Sequence, residues 1–163
     1  MNFHVTLRSL YVVTLLLLGN SVFGQNIKKE KMELLSFMTG EWIGTTKLYE
    51  EGVITKQGSA YQKITYDLDK NILVIELNTE FLQLHTIIYY DEKDSTYYYY
   101  PFSKRGVAKY PAAYKNGQFI VSSSEKNRFV FSKTADGGFQ EYGERLVNGK
   151  WTRYFQDDFK NTK

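Results

Sequence analysis

The side chains of this sequence best suited to chemistry are His85, the run Tyr97 to Tyr100, and the carboxylates Glu76 and Glu141. The imidazole of His85, in Leu84-His85-Thr86, can serve as a general base, a haem ligand or a hydrogen-bond donor to a bound molecule. A lone strand histidine more often serves the structure, and a serine hydrolase would have to use this one. Ser122-Ser123-Ser124, however, lies in no nucleophile elbow. Strand alternation sends Tyr98 and Tyr100 to one face and Tyr97 and Tyr99 to the other. The inward pair, expected here as Tyr98 and Tyr100, would give a cavity apolar walls with orienting hydroxyls, although ordinary strand packing accounts for the same run.

Glu76, Glu141, Arg128 and Arg145 sit in segments otherwise rich in apolar residues. Any of them that faces inward must be paired or touch a polar ligand. The candidate ligand-binding set is therefore His85, Tyr98, Tyr100 and Glu141, with no catalytic residue, metal ligand or cofactor assigned. Asp67-Leu68-Asp69-Lys70-Asn71 opens like a calcium loop, but Ile72 replaces the required glycine and Asn78 the closing glutamate, so it reads as a turn. Asp157-Asp158 reads as a solvated strand end, since adjacent strand residues face opposite ways and make a poor acid/base pair.

The elements that must position these groups begin after residue 24. Met1 to Gly24 has a short basic start at Arg8, an apolar run from Leu10 to Leu18 and a small-residue site before Gln25, the parts of a secretory signal peptide. The apolar run is roughly half of the about 20 residues a spanning helix needs. The expectation is an exported bacterial protein, periplasmic or extracellular, without a stable membrane anchor. Residues 25–163 would form its one domain. The chain has no cysteine, which excludes disulfides, thiol catalysis and cysteine-ligated metal. Charges of both signs are interleaved, with no basic stripe for nucleic acid. Aromatic residues make up 17%, including 14 tyrosines, and favour strands and cavity walls.

Glu30 to Met38 carries Leu34, Leu35, Phe37 and Met38 at helical spacing, a short helix able to cap a barrel end. Strands are expected at Trp42–Tyr49, Val53–Tyr66, Ile72–Asn78, Phe81–Tyr90, Thr96–Phe102, Val107–Tyr114, Gln118–Ser123, Arg128–Lys133, Phe139–Val147 and Lys150–Phe159. Pro111 weakens the sixth and suits an edge or bulge, and a bulge is expected near Gly58. Asn116-Gly117 and Asn148-Gly149 are the clearest hairpin turns. About ten short strands joined by hairpins, with one capping helix, predict an all-β antiparallel up-and-down barrel.

Gly40-Glu41-Trp42, placed straight after that helix, resembles the first-strand motif of lipocalins within the calycin barrels. The Tyr90-Asp91 turn looks similar to that of secreted bacterial lipocalin-like domains of unknown function. The resemblance implies that Gly40, Trp42 and Arg153 close one end, with Arg153 from the final strand lying over the indole. It also implies a small hydrophobic or amphipathic ligand held in an internal cavity. About ten strands and the absence of cysteine depart from the usual lipocalin pattern and look more like the fatty-acid-binding and nitrobindin-like branches. Nitrobindin-like barrels bind haem through a histidine near the C-terminus, and this chain has none after His85.

The expected function is non-catalytic binding of a small, partly apolar molecule outside the cytoplasm. Two alternatives belong to other classes. One is a barrel isomerase or hydrolase using carboxylates, tyrosines and His85 as acid/base groups, and the other is a solidly packed envelope interaction protein. The volume and lining of the interior separate these three.

Overall fold

Turn chemistry sets the topology. Asn116-Gly117 and Asn148-Gly149 each put two successive residues at positive φ (52° and 77°, 51° and 75°), the backbone a type I′ hairpin requires. The computed structural model describes residues 27–162, so the expected leader and the cleavage point before Gln25 lie outside the described residues. The strands are β1 (Gly40–Glu50), β2 (Val53–Asp67), β3 (Ile72–Thr79), β4 (Gln83–Asp91), β5 (Thr96–Ser103), β6 (Gly106–Val107), β7 (Tyr110–Lys115), β8 (Gln118–Ser124), β9 (Asn127–Lys133), β10 (Phe139–Val147) and β11 (Lys150–Asn161).

Every pairing is antiparallel. β1 bonds to both β2 and β11, β4 bonds to β5, and ten strands close into a barrel. The two-residue β6 is an extension hung on β5. The expected all-β barrel of about ten strands is thus the observed fold. The expected sixth strand is divided at Ala108-Lys109, ahead of Pro111. The first hairpin is irregular between Leu48 and Tyr49, nearer its tip than the expected bulge at Gly58.

Helical residues 27–33 are followed by a 3-10 turn over Ser36–Met38. This segment closes one end of the barrel by burying Met32, Leu35 and Met38 completely. Side chains from the strands fasten it. The Trp42 indole Nε1 donates to Met38 O at 2.8 Å, Tyr66 Oη to Met32 O at 2.7 Å, and Tyr97 Oη to Lys31 O at 2.6 Å. Lys31 O and Met32 O also accept the backbone N–H of Leu34 and Leu35, so these side chains add second partners there, and Trp42 supplies one to Met38 O at the end of the 3-10 turn.

Beneath the helix the core is aromatic. Trp42 lies 5.5 Å from Phe139, which stacks on Phe159 at 5.4 Å and on Phe131 at 6.2 Å, between ring centroids. Among the described residues no helix is long and apolar enough to cross a membrane.

Candidate functional site

The inward residues of the barrel fall into three levels from the helix outward. The first is the apolar plug around Trp42, Ile64, Phe139 and Phe159. The third lies at the opposite end, which no described helix covers. There Leu48, Leu84, Tyr110, Phe129 and Phe155 face inward yet are only half-buried. Phe129 is the hub of this mouth, 6.2 Å from Tyr99, 6.3 Å from Tyr110 and 6.2 Å from Phe155.

A bulge shapes the mouth. The register of β10 against β11 slips between Gly143 and Glu144, so Gly143 faces Phe155 while Glu144 faces Arg153. The extra residue, Tyr154, lies with its ring over Gly143. A Cβ on Gly143 would meet Phe155 Cε1 at 2.3 Å and Tyr154 Cζ at 2.6 Å. Only glycine lets both rings lie against the strand.

Between plug and mouth runs a polar belt. Thr46, Gln62, Thr86, Glu141 and Asp157 are all buried, each 4% exposed or less. Alternation from neighbouring core residues brings them inward. Thr46 shares its face with Trp42, and Asp157 shares its face with Phe155 and Phe159. Glu141 is register partner to Asp157, which in turn faces Thr46 on β1. Gln62 Nε2 donates to Glu141 Oε2 at 3.2 Å. Three buried atoms of the belt have no hydrogen-bond partner among the described residues: Gln62 Oε1, Thr86 Oγ1 and Asp157 Oδ1.

Among the described residues the belt has no cation. The ion pairs among the described residues, Lys47–Asp158, Lys70–Glu33 and Arg128–Glu144, do not involve Glu141 or Asp157. Burial raises the Glu141 carboxyl well above its ordinary value, the Asp157 charge adds to the shift, and the Gln62 amide opposes it. Burial raises Asp157 as well, with the Thr46 hydroxyl pulling the other way. Burial and the nearby Glu141 charge push the Tyr99 phenol far up. The pair consequently holds a proton into the neutral range, sharing charge that two adjacent buried carboxylates cannot both carry. Chemically the belt can accept hydrogen bonds, hold a positive charge or store a proton.

Of the residues expected at the site, Glu141 alone is in this belt. The inward tyrosines are Tyr97 and Tyr99, while Tyr98 and Tyr100 face outward. There Tyr98 Oη donates to Asp94 Oδ2 at 2.7 Å, and the Lys109 ammonium lies 3.7 Å from the Tyr98 ring centroid. His85 is exposed on the outer wall, in register with Glu76 and Phe102, beside an open groove of about 410 Å³. Glu76 lines the same groove, and Arg128 lies on the outer face bound to Glu144, whereas Arg145 shares its strand face with Glu141 and Gly143 and stands exposed at the mouth rim, donating to Asn127 Oδ1. Gly40 starts β1 at φ 143°, and Trp42 is buried beneath the helical segment, bonded to Met38 O.

Arg153 does not cover Trp42. Its guanidinium lies 3.9 Å from the Tyr142 ring centroid and donates to Gln156 Oε1, while the β11 residue opposite Trp42 is Asn161. Eight residues of strand, about 26 Å, separate Arg153 from that level. Asp157-Asp158 also departs from its expected solvated end. Asp157 is interior, and Asp158 binds Lys47 at 2.8 Å outside.

A larger groove of about 1050 Å³ runs over the β1, β2 and β11 wall between Ile43, Tyr61 and Lys160, open to solvent. Two of its three carboxylates are engaged by neighbouring side chains. Asp158 is held by Lys47 and Gln140, and Asp136 by Thr134. A scan of family models gave no match to this chain, and a search of curated proteins gave none either.

Proposed function

We propose that this chain is an exported, lipocalin-like binding module that holds a small, partly apolar molecule within the barrel, without catalysing its conversion. The observation that carries this reading is the set of three unpartnered polar atoms, Gln62 Oε1, Thr86 Oγ1 and Asp157 Oδ1, in a buried belt below an aromatic mouth. Leaving a buried polar atom unpaired costs about 1–3 kcal/mol, so a belt with three of them calls for an occupant. Half-buried Leu84, Tyr110, Phe129 and Phe155 supply apolar surface for the rest of such a molecule.

The enzymatic alternative has less support. Ser122 is exposed and His85 stands on the outer wall, so neither can meet the belt carboxyls around one substrate. The test is native mass spectrometry of protein purified from its source, combined with NMR of the Gln62 side-chain amide. The expected result is a retained small-molecule mass, and a Gln62 signal that moves when a neutral amphipathic probe such as 2-phenylethanol is added. A bare protein whose interior signals ignore a whole hydrophobic probe set would contradict the reading.

A further inference from the structure

We propose that Glu141 and Asp157 form the recognition site for an organic ammonium ion, a protonated amine carrying an apolar body. This rests on the binding reading above and adds the class of ligand. Three independent features lead to it.

The first is donor deficit. Glu141 and Asp157 face one another across β10 and β11, and among the described residues no Lys or Arg is ion-paired to either. One N–H of the Gln62 amide is engaged by Glu141. The unpartnered atoms Gln62 Oε1, Asp157 Oδ1 and Thr86 Oγ1 can all accept hydrogen bonds. A single group with several N–H donors and one positive charge answers all of these at once, and an ammonium is such a group.

The second is the wall. The rings of Tyr99, Tyr110, Phe129 and Phe155 form a connected series beside the belt. Aromatic faces attract cations and also accept an apolar body. A carboxylate ligand would meet like charge here, and a wholly apolar one would leave the belt unpaired.

The third is coordination. Calcium and magnesium take six or more oxygen ligands, zinc takes at least three protein ligands, and no cluster of three or more His, Cys, Asp or Glu side chains able to hold a metal exists among the described residues. The belt's two acids suit a monovalent guest.

Binding exchanges a proton. The pair holds one when empty, so an entering RNH3+ sends that proton to solvent while the charge of the site is conserved. The groups around the pair are Thr46 from β1, Gln62 from β2, Tyr99 from β5 and Tyr154 from β11, with the Asp158 charge beside Asp157 and Arg145 of β10 on the same strand face. Arg145 lies 5.3 Å from the Tyr154 ring centroid at the rim, leaving the two carboxyls to supply the proton.

The experiment is calorimetric titration of the full mature protein with phenethylammonium, 2-phenylethanol and 3-phenylpropionate at pH 7.5, in two buffers of different ionisation enthalpy. Wild type is compared with the near-isosteric Glu141→Gln and Asp157→Asn. Phenethylammonium should bind about tenfold or more tighter than the alcohol, release close to one proton, and lose its advantage in both variants. The alcohol's own affinity should hardly change. An alcohol that binds as tightly as the ammonium would overturn the cation assignment and leave the binding reading standing. An ammonium preference that survives both substitutions would likewise overturn the assignment to this pair. Silence from all three probes, with no shift of the Gln62 amide signal in wild type, would overturn the inference and the binding reading together. Should either variant fail to fold, proton release and the Gln62 shift in wild type decide the matter.

Discussion

Glu141 and Asp157 stand directly opposite each other on β10 and β11, both turned into the barrel and neither ion-paired to a basic side chain among the described residues. Opposed strand residues have Cβ atoms about 5 Å apart. Two carboxyls at that distance in a buried setting cannot both ionise freely, and this constraint governs the protein's response to pH.

The native Glu141 carboxyl holds its proton more tightly than the ordinary value of 4.5, and Asp157 shifts in the same direction from 3.8. The folded chain therefore binds more protons than the unfolded chain once pH exceeds those ordinary values, and stability falls as pH rises. This contribution is complete at acidic pH and is lost as pH climbs through the raised native values. Urea unfolding should give a lower stability at pH 9 than at pH 5, with a shallower slope for Glu141→Gln. Parallel curves for the two proteins would show that Glu141 does not titrate in this way.

Trp42 joins helix and barrel through its ring and its Nε1–Met38 O hydrogen bond. Trp42→Ala should destabilise by about 3–5 kcal/mol, since it empties a large buried volume. Trp42→Phe keeps a ring but strands the Met38 carbonyl, at about 1–3 kcal/mol. Because Arg153 lies over Tyr142 at the other end of β11, a Trp42/Arg153 double-mutant cycle should be additive within about 0.5 kcal/mol. Coupling well above that would contradict the placement of Arg153.

Tyr97 and Tyr98 are sequence neighbours with opposite duties. Tyr97→Phe removes the hydroxyl bonded to Lys31 O and should cost about 0.5–1.5 kcal/mol. It should also speed amide exchange in residues 27–33. Tyr98→Phe, altering an outer-wall contact to Asp94, should leave that exchange unchanged. Equal effects of the two substitutions would contradict the strand phase.

Gly143→Ala places a methyl group against the Phe155 and Tyr154 rings. Displacing them should cost about 1–3 kcal/mol and change the near-ultraviolet dichroism of the mouth aromatics. An unchanged spectrum with unchanged stability would remove Gly143 from the construction of the mouth.

Much of the barrel was legible in the sequence. The Asn-Gly turns and the alternating segments between them gave strand limits within a residue or two, and Gly40-Glu41-Trp42 marked the plugged end. Phase was harder to read. Four consecutive tyrosines offer no polarity difference to mark the inner face, so nothing local separated Tyr97 and Tyr99 from Tyr98 and Tyr100. On β11, Arg153 and Asp157 are four residues apart and would share a face in a regular strand. The bulge at Tyr154 puts Arg153 outside and Asp157 inside.

Asp157 carried a usable signal nonetheless. It lies midway between Phe155 and Phe159, and alternation from those two rings turns it inward. Beside Asp158 it looked like a solvated end because two adjacent acids suggest solvent, although one of them faces the core. Gln62, Thr46 and Thr86 are interior because their strand neighbours are, and their types gave no hint of a belt.

A high-resolution crystal structure of the protein purified from its source tests the central claim most directly. The account predicts non-protein density in the barrel, with a polar end within hydrogen-bonding distance of Gln62 Oε1, Thr86 Oγ1 and Asp157 Oδ1 and an apolar end reaching toward Phe129. An interior filled by side chains, with those three atoms satisfied by one another or by isolated waters, would contradict it.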